Sequence, residues 1–164
     1  MMNLKSLVSL SALVVCMGAA SMANAYSITP INTNFTAPGT ISVKSPSSYQ
    51  APVNCGATFT GNVDASGVAK ITGVAITGGG LCDLPKITGL PWTLTANGVA
   101  VGSVSNVGYT IAGSILYPVS NCGASTITAN YSGGVLTASN QSLAGNCTVV
   151  SLSVKPTPAF TVVP

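Results

Sequence analysis

Histidine, arginine and glutamate are absent from this 164-residue chain, and aspartate occurs only as Asp64 and Asp83. Without histidine there is no Ser–His–Asp or Cys–His device and no histidine-based metal centre. The lysines beyond the N-terminal segment, Lys44, Lys70, Lys86 and Lys155, follow Ile41, Gly67, Asp83 and Leu152 by three positions. No S-x-x-K dyad can therefore form. Nucleic-acid binding needs clustered cations to replace phosphate counterions, and four scattered lysines do not supply them. Asp64 lies in Val63-Asp64-Ala65-Ser66-Gly67, and Asp83 sits between Cys82 and Leu84-Pro85. Both contexts are those of turn carboxylates capping backbone amides, not of a catalytic pair. Gly78-Gly79-Gly80 lacks the Gly-Lys-Ser/Thr and the helix of a phosphate loop, so it reads as a flexible connection. The sequence thus offers no catalytic residue, no cofactor site and no metal ligands.

What is present begins with a secretory layout. Lys5 precedes an apolar run over residues 7–20, and Ala23-Asn24-Ala25 is a small-x-small cleavage site. The run is too short for a permanent transmembrane span. Val15 occupies the place where a lipoprotein box before Cys16 would want a small residue, so Cys16 is expected to leave with the signal. Residues 1–25 are read as that signal, residues 26–39, with Pro30 and Pro38, as an extended arm or edge strand, and residues 40–164 as one domain.

Export turns Cys55, Cys82, Cys122 and Cys147 into two expected disulfides. Four cysteines allow three connectivities, and an internal repeat favours one. Asn54-Cys55-Gly56-Ala57 recurs 67 residues later as Asn121-Cys122-Gly123-Ala124, and Gly67-Val68 recurs at the same offset as Gly134-Val135. Pairing within each copy, Cys55 with Cys82 and Cys122 with Cys147, staples two similar hairpins. Each closed loop would be worth roughly 3–4 kcal/mol in the chain-entropy model. A Cys₄ metal site would want a close Cys-x₂-Cys pair, which is missing.

Thr, Val, Ile and Ser alternate with small residues, punctuated by Gly, Pro and Asn at short intervals, and no helical period stands out after the signal. Strands are expected at 40–44, 53–63, 68–77, 93–96, 99–101, 107–112, 125–131, 134–139, 147–154 and 159–163. Asn97-Gly98 is the favoured type I′ pair and would set Ala96 against Val99 and Leu94 against Val101. The two copies disagree in their apolar alternation. Ala57, Phe59 and Val63 share one parity, whereas Ile127, Ala129 and Tyr131 fall one residue out of step at the repeat offset, so either a bulge separates the copies or their kinship is only architectural. The pattern predicts an all-β, antiparallel β-sandwich of Ig-like or Greek-key type.

Trp92, the single tryptophan, is expected either to fill the core with its N–H on a carbonyl or to offer an exposed apolar contact. Six charges cannot cover a domain of this size. Its exterior must be largely neutral, which favours adsorption to apolar interfaces or self-association through edge strands.

Phe35-Thr36-Ala37-Pro38-Gly39-Thr40, the segment from Asn54 to Gly61, Gly67-Val68-Ala69-Lys70-Ile71-Thr72, Gly89-Leu90-Pro91-Trp92 and the late Cys122-Gly123 and Cys147 resemble the protein activator of alkane oxidation family, PraB type. The resemblance implies a small exported protein that supports growth on hydrocarbons, acts outside the cytoplasm and is not itself an oxygenase. It supplies no catalytic residues. Joined to the composition, it gives three functional expectations: adsorption at an oil–water or cell–oil interface, a subunit of an extracellular fibre or biofilm matrix, and a binding module for a hydrophobic small molecule. The expected location is extracellular or at the outer surface, with the periplasm as the alternative. Non-reducing peptide mapping should recover Cys55–Cys82 and Cys122–Cys147; a Cys82–Cys122 peptide would overturn the within-repeat pairing.

Overall fold

The computed structural model describes residues 25–164, so the expected signal segment lies outside the described residues except for Ala25. Eleven strands and two short 3-10 turns follow one another, with no α-helix among the described residues. The strands are β1 (Ser27–Thr29), β2 (Thr33–Lys44), β3 (Val53–Val63), β4 (Ala69–Thr77), β5 (Lys86–Thr88), β6 (Trp92–Ala96), β7 (Val101–Ile111), β8 (Ser120–Ser132), β9 (Val135–Leu143), β10 (Cys147–Val154) and β11 (Thr161–Val163). The 3-10 turns are Pro46–Ser48 and Gly80–Asp83.

The expectation of an all-β antiparallel fold holds, but the sandwich does not. Strands β2, β3, β4, β6, β7, β8, β9 and β10 each pair with the next, and β10 returns to β2. The sheet is a closed eight-stranded barrel, with β5 extending the β6 edge along β7. Alternating strands with one apolar face suit a sandwich and a barrel equally; the β7–β8 and β10–β2 ladders decide between them. Closure also reduces the edges on which strand exchange would act; β5, the separate β1–β11 ribbon and the stretch of β4 beyond Ile71 are among those that keep a free side.

Of the two alternatives for residues 26–39, an arm or an edge strand, strands are what form there. Thr33 to Gly39 form the first half of β2, paired residue for residue with β3 from Val63 to Ala57. Pro38 is tolerated because its carbonyl accepts the Lys155 N–H at 3.0 Å just past the end of β10, where no ladder bond is asked of its nitrogen. Only β1 remains of the expected arm, and it pairs with β11 across the lower end of the barrel.

Two registers follow from tertiary pairing. Leu94 lies against Val104 and Ala96 against Gly102, so the two-residue turn expected at Asn97-Gly98 is a longer loop in which Asn97 and Gly98 both donate to the Val101 carbonyl. Val104 meets Ile127 on its other side, and burying Leu94, Val104 and Ile127 together outweighs the local turn preference. The disagreement between the repeat copies resolves as a bulge. Cys122 and Ile127 both point inward although they differ in parity, and the β7–β8 register shifts between them.

The core is the barrel interior, contributed by every strand of the closed sheet. The structure joins Cys55 to Cys82 and Cys122 to Cys147, with Cα separations of 5.7 and 5.6 Å. Each bridge ties the first strand of a hairpin to a cysteine a few positions beyond its second, Cys82 in the Gly80–Asp83 turn and Cys147 at the start of β10. Both lie at the upper rim, where β2 and β7 end and β3 and β8 begin.

At the lower end Asp64 organises the β3–β4 turn. Its Oδ1 accepts the N–H and the hydroxyl of Ser66 at 2.9 and 2.6 Å and the Val68 N–H at 3.0 Å. The Ser66 hydroxyl first, then the Val68 amide, hold this carboxyl below its ordinary pKa. Gly67 in the same turn has φ +78°, and its carbonyl accepts the Ile28 N–H at 2.8 Å. A Cβ there would come within 2.5 Å of the Ser27 Cβ, whereas at Gly134, with φ +79° in the matching turn of the second copy, it would meet nothing within 4 Å.

Gly134→Ala should therefore cost about 1 kcal/mol through backbone strain alone, and Gly67→Ala about 2–3 kcal/mol in urea unfolding. Amide exchange at Ile28 should accelerate only in the second; equal losses with unchanged exchange would show that this turn does not hold the ribbon. Because the Asp64 pKa is depressed on folding, its contribution is present above its unfolded pKa, about 3.9. It is lost as pH falls through the lower folded value. Asp64→Asn should flatten the stability profile below about pH 4, and an unchanged profile would remove the turn from the acid response.

Candidate functional site

Eight strands make a barrel whose interior is either filled by side chains or just able to hold one small ligand. Here a cavity of about 90 Å³ remains within the apolar core. Ile41, Val74, Trp92, Val104 and Ile127 contribute to its walls, and no charged side chain lines it. The alternation that built the strands explains this directly: every second residue points inward, and the inward set is aliphatic or aromatic.

The two ends of the cavity differ. At the lower end Phe35 and Phe160 meet edge to face with ring centroids 5.1 Å apart, and the Tyr131 hydroxyl bonds the Phe160 carbonyl at 2.8 Å. Phe35, Val154, Pro156 and Phe160 are buried there, so the β1–β11 end is a closed floor. At the upper rim the lining residues Val43, Val53, Leu81, Pro85 and Ile87 are only half-buried. The mouth is at the rim that carries both disulfides.

Polar groups collect at that rim. The Pro46–Ser48 turn folds over part of it and is pinned to β8. The Ser47 N–H donates to Ser120 Oγ at 2.9 Å, the two hydroxyls lie 2.7 Å apart, and Ser47 Oγ donates to the Pro118 carbonyl at 2.7 Å. Ser48 Oγ donates to the Ala51 carbonyl at 2.7 Å. One hydroxyl is left over. Tyr109 on β7 is buried among the lining residues, and its hydroxyl finds no hydrogen-bond partner among the described residues. Burial pushes its pKa up, so it stays a neutral donor; Ser45 opposes the shift without reaching the hydroxyl in hydrogen-bond geometry.

Outside the mouth, the loop between β7 and β8 lifts apolar side chains into water. Ile115 is fully exposed, Leu116 is 73 % and Val119 54 % exposed. Tyr49, 71 % exposed, joins them by donating its hydroxyl to the Leu116 carbonyl at 2.9 Å. No charged residue occurs between Lys86 and Lys155, so the loop and the strands beneath it form an ion-free half of the barrel.

Trp92 is buried, donates Nε1–H to the Thr88 carbonyl at 2.7 Å and faces the cavity near Phe59. It is a wall residue, not the exposed contact that was its alternative. Asp64 and Asp83 stand at opposite ends of the barrel, in the β3–β4 turn and the Gly80–Asp83 turn. Among the described residues no three histidine, cysteine or acidic side chains gather as metal ligands, and no helix is long and apolar enough to cross a membrane. Sequence reasoning missed Tyr109, Ser47, Ser120 and the loop tip. The tip had a signal, since Ile115-Leu116-Tyr117-Pro118-Val119 is apolar yet flanked by Gly113-Ser114 and Ser120. Tyr109 had none, because its isolation depends on what β2 and β8 place around it.

No curated protein and no solved structure matches this chain. A family match does cover it, over residues 1–164. The chain belongs to the alkane oxidation protein activator PraA/PraB-like family.

Proposed function

We propose that this protein is a non-enzymatic accessory of alkane oxidation that works at the hydrocarbon surface, where the loop tip anchors it. The observation carrying the reading is the cluster Ile115, Leu116, Val119 and Tyr49, held in water at one end of a barrel whose nearest strands have no charge. A large apolar side chain fully withdrawn from water contributes about 1.5–3 kcal/mol, so a few of them meeting oil offset much of the cost of localising the protein there. Two lysines, Lys44 and Lys86, stand at this rim, short of the cluster of cations that recruits anionic headgroups, which favours a neutral hydrocarbon phase. Two disulfides fit an oxidising, exported setting, the compartment in which such a surface is met. Adsorption there would gather the protein at the oil and aid emulsification or adhesion.

Pendant-drop tensiometry at a hexadecane–water interface tests this. The purified protein should lower the tension at micromolar concentration. An Ile115→Ser, Leu116→Ser double variant should need roughly 10–100-fold more protein for the same effect, at unchanged melting temperature. No change in tension with the unaltered protein would remove adsorption as the function; equal adsorption by the variant would remove the tip as its means.

A further inference from the structure

The barrel interior has a property that adsorption does not use: a small apolar cavity, closed below by Phe35 and Phe160. We propose that this cavity binds an unbranched saturated hydrocarbon segment of about three or four carbons, either a short free alkane or the end of a longer one. The inference rests on the interior and not on the loop tip, so it stands apart from the adsorption reading.

The walls exclude polar ligands. No Lys, Arg, Asp or Glu lines the cavity, so a charged head group would lose its hydration uncompensated. Trp92 Nε1 is already bonded to the Thr88 carbonyl, and the Ser47 and Ser48 hydroxyls to the Pro118 and Ala51 carbonyls. The Tyr109 oxygen is enclosed by protein, with less than 1 Å² exposed, so nothing in the cavity reaches it. Of the lining hydroxyls that leaves Ser45, against the about two to four polar partners that a buried water needs. Water therefore gains little there. Walls of aliphatic and aromatic carbon are matched by a ligand that has no polar group.

Size and shape narrow the ligand further. An engineered apolar space of ~150 Å³ admits benzene, roughly 25 Å³ for each of its carbons. On that scale about 90 Å³ takes about three or four carbons. The lining runs from Phe35 and Phe160 at the floor to Val53 and Ile87 at the rim, so this small volume is drawn out along the barrel axis and narrow across it. A six-membered ring is too large, whereas a straight segment fits. A longer chain keeps its remaining carbons outside, and the wall offers it a way through. β4 beyond Ile71 has no partner on the side of β5, and β5 pairs only with β7. Val74, Ile76 and Ile87 line the cavity at this unpaired gap and are only half-buried.

Methyl NMR of the folded protein tests this with n-butane, n-octane and cyclohexane as probes. n-Butane should shift the Ile71, Val104 and Ile127 methyls saturably and leave Ile115 and Leu116 unmoved. If n-octane does the same and also shifts Val74, Ile76 and Ile87, the site takes chain ends; a response to n-butane alone assigns it to short free alkanes. Cyclohexane should bind at least about tenfold more weakly. Xenon enters dry apolar cavities and should be displaced by n-butane at the same methyls; undiminished xenon shifts would overturn the proposal without recourse to any variant. Ala37→Leu adds an isopropyl group to the wall, close to the volume assigned to the ligand. It should melt no lower and weaken n-butane at least about tenfold, and undiminished binding would place the ligand elsewhere and overturn the site. The Ile115→Ser, Leu116→Ser protein should bind n-butane unchanged, which separates failure here from failure of adsorption. Absence of saturable n-butane shifts in the unaltered protein, or cyclohexane binding as tightly, would overturn the proposal.

Discussion

Closure of the sheet is the constraint on which the rest depends. Once β7 pairs with β8 and β10 returns to β2, every long strand has a partner on both sides and the inward side chains have nowhere to go but a shared interior. That interior has no second layer to pack against, so its filling is fixed by circumference and tilt as well as by side-chain volume. Small residues such as Ala37, Ala57, Ala69, Ala129 and Ala138 sit among the large ones on these walls. A residual void is the natural outcome of such a geometry, and it is apolar because the inward residues are mostly aliphatic or aromatic.

The same closure lessens the need for charge at strand edges. Open sheets protect their edges with lysine, proline or bulges; a barrel needs less of this because it presents few edges. Among the described residues the charges are concentrated between Lys44 and Lys86, with Lys155 beyond the last barrel strand. The half built from β7, β8, β9 and β10 is free to be neutral, and it is this half that carries the exposed loop. Low charge and an exposed apolar tip thus belong to the same half of the barrel.

Much of this was legible in the residues. Period-two alternation located most strands, the cysteines and Gly67-Val68 exposed the repeat, and the Asp64 turn was evident from its local chemistry. The misreadings were all non-local. Pro30 and Pro38 made the first half of β2 look like an arm, because nothing in the sequence shows that Pro38 lies just past the end of β10. Asn97-Gly98 promised a tight turn, but Val104 and Ile127 set the register from across the barrel. Sandwich and barrel share one alternation pattern and differ in two ladders joining residues far apart in the chain. For the site, the apolar lining could be read from the alternation, whereas the loneliness of the Tyr109 hydroxyl could not.

Both disulfides brace the upper rim, while the floor is held by the β1–β11 ribbon and aromatic contacts alone. Oil is a solvent for a protein's own core, so a polypeptide touching it tends to spread and stay spread. On the proposed reading the end that would make contact is cross-linked on each half of the barrel, so the mouth could not unravel into the droplet without breaking covalent bonds. A molecule built this way would leave the interface as it arrived, a returning visitor and not a one-time coating.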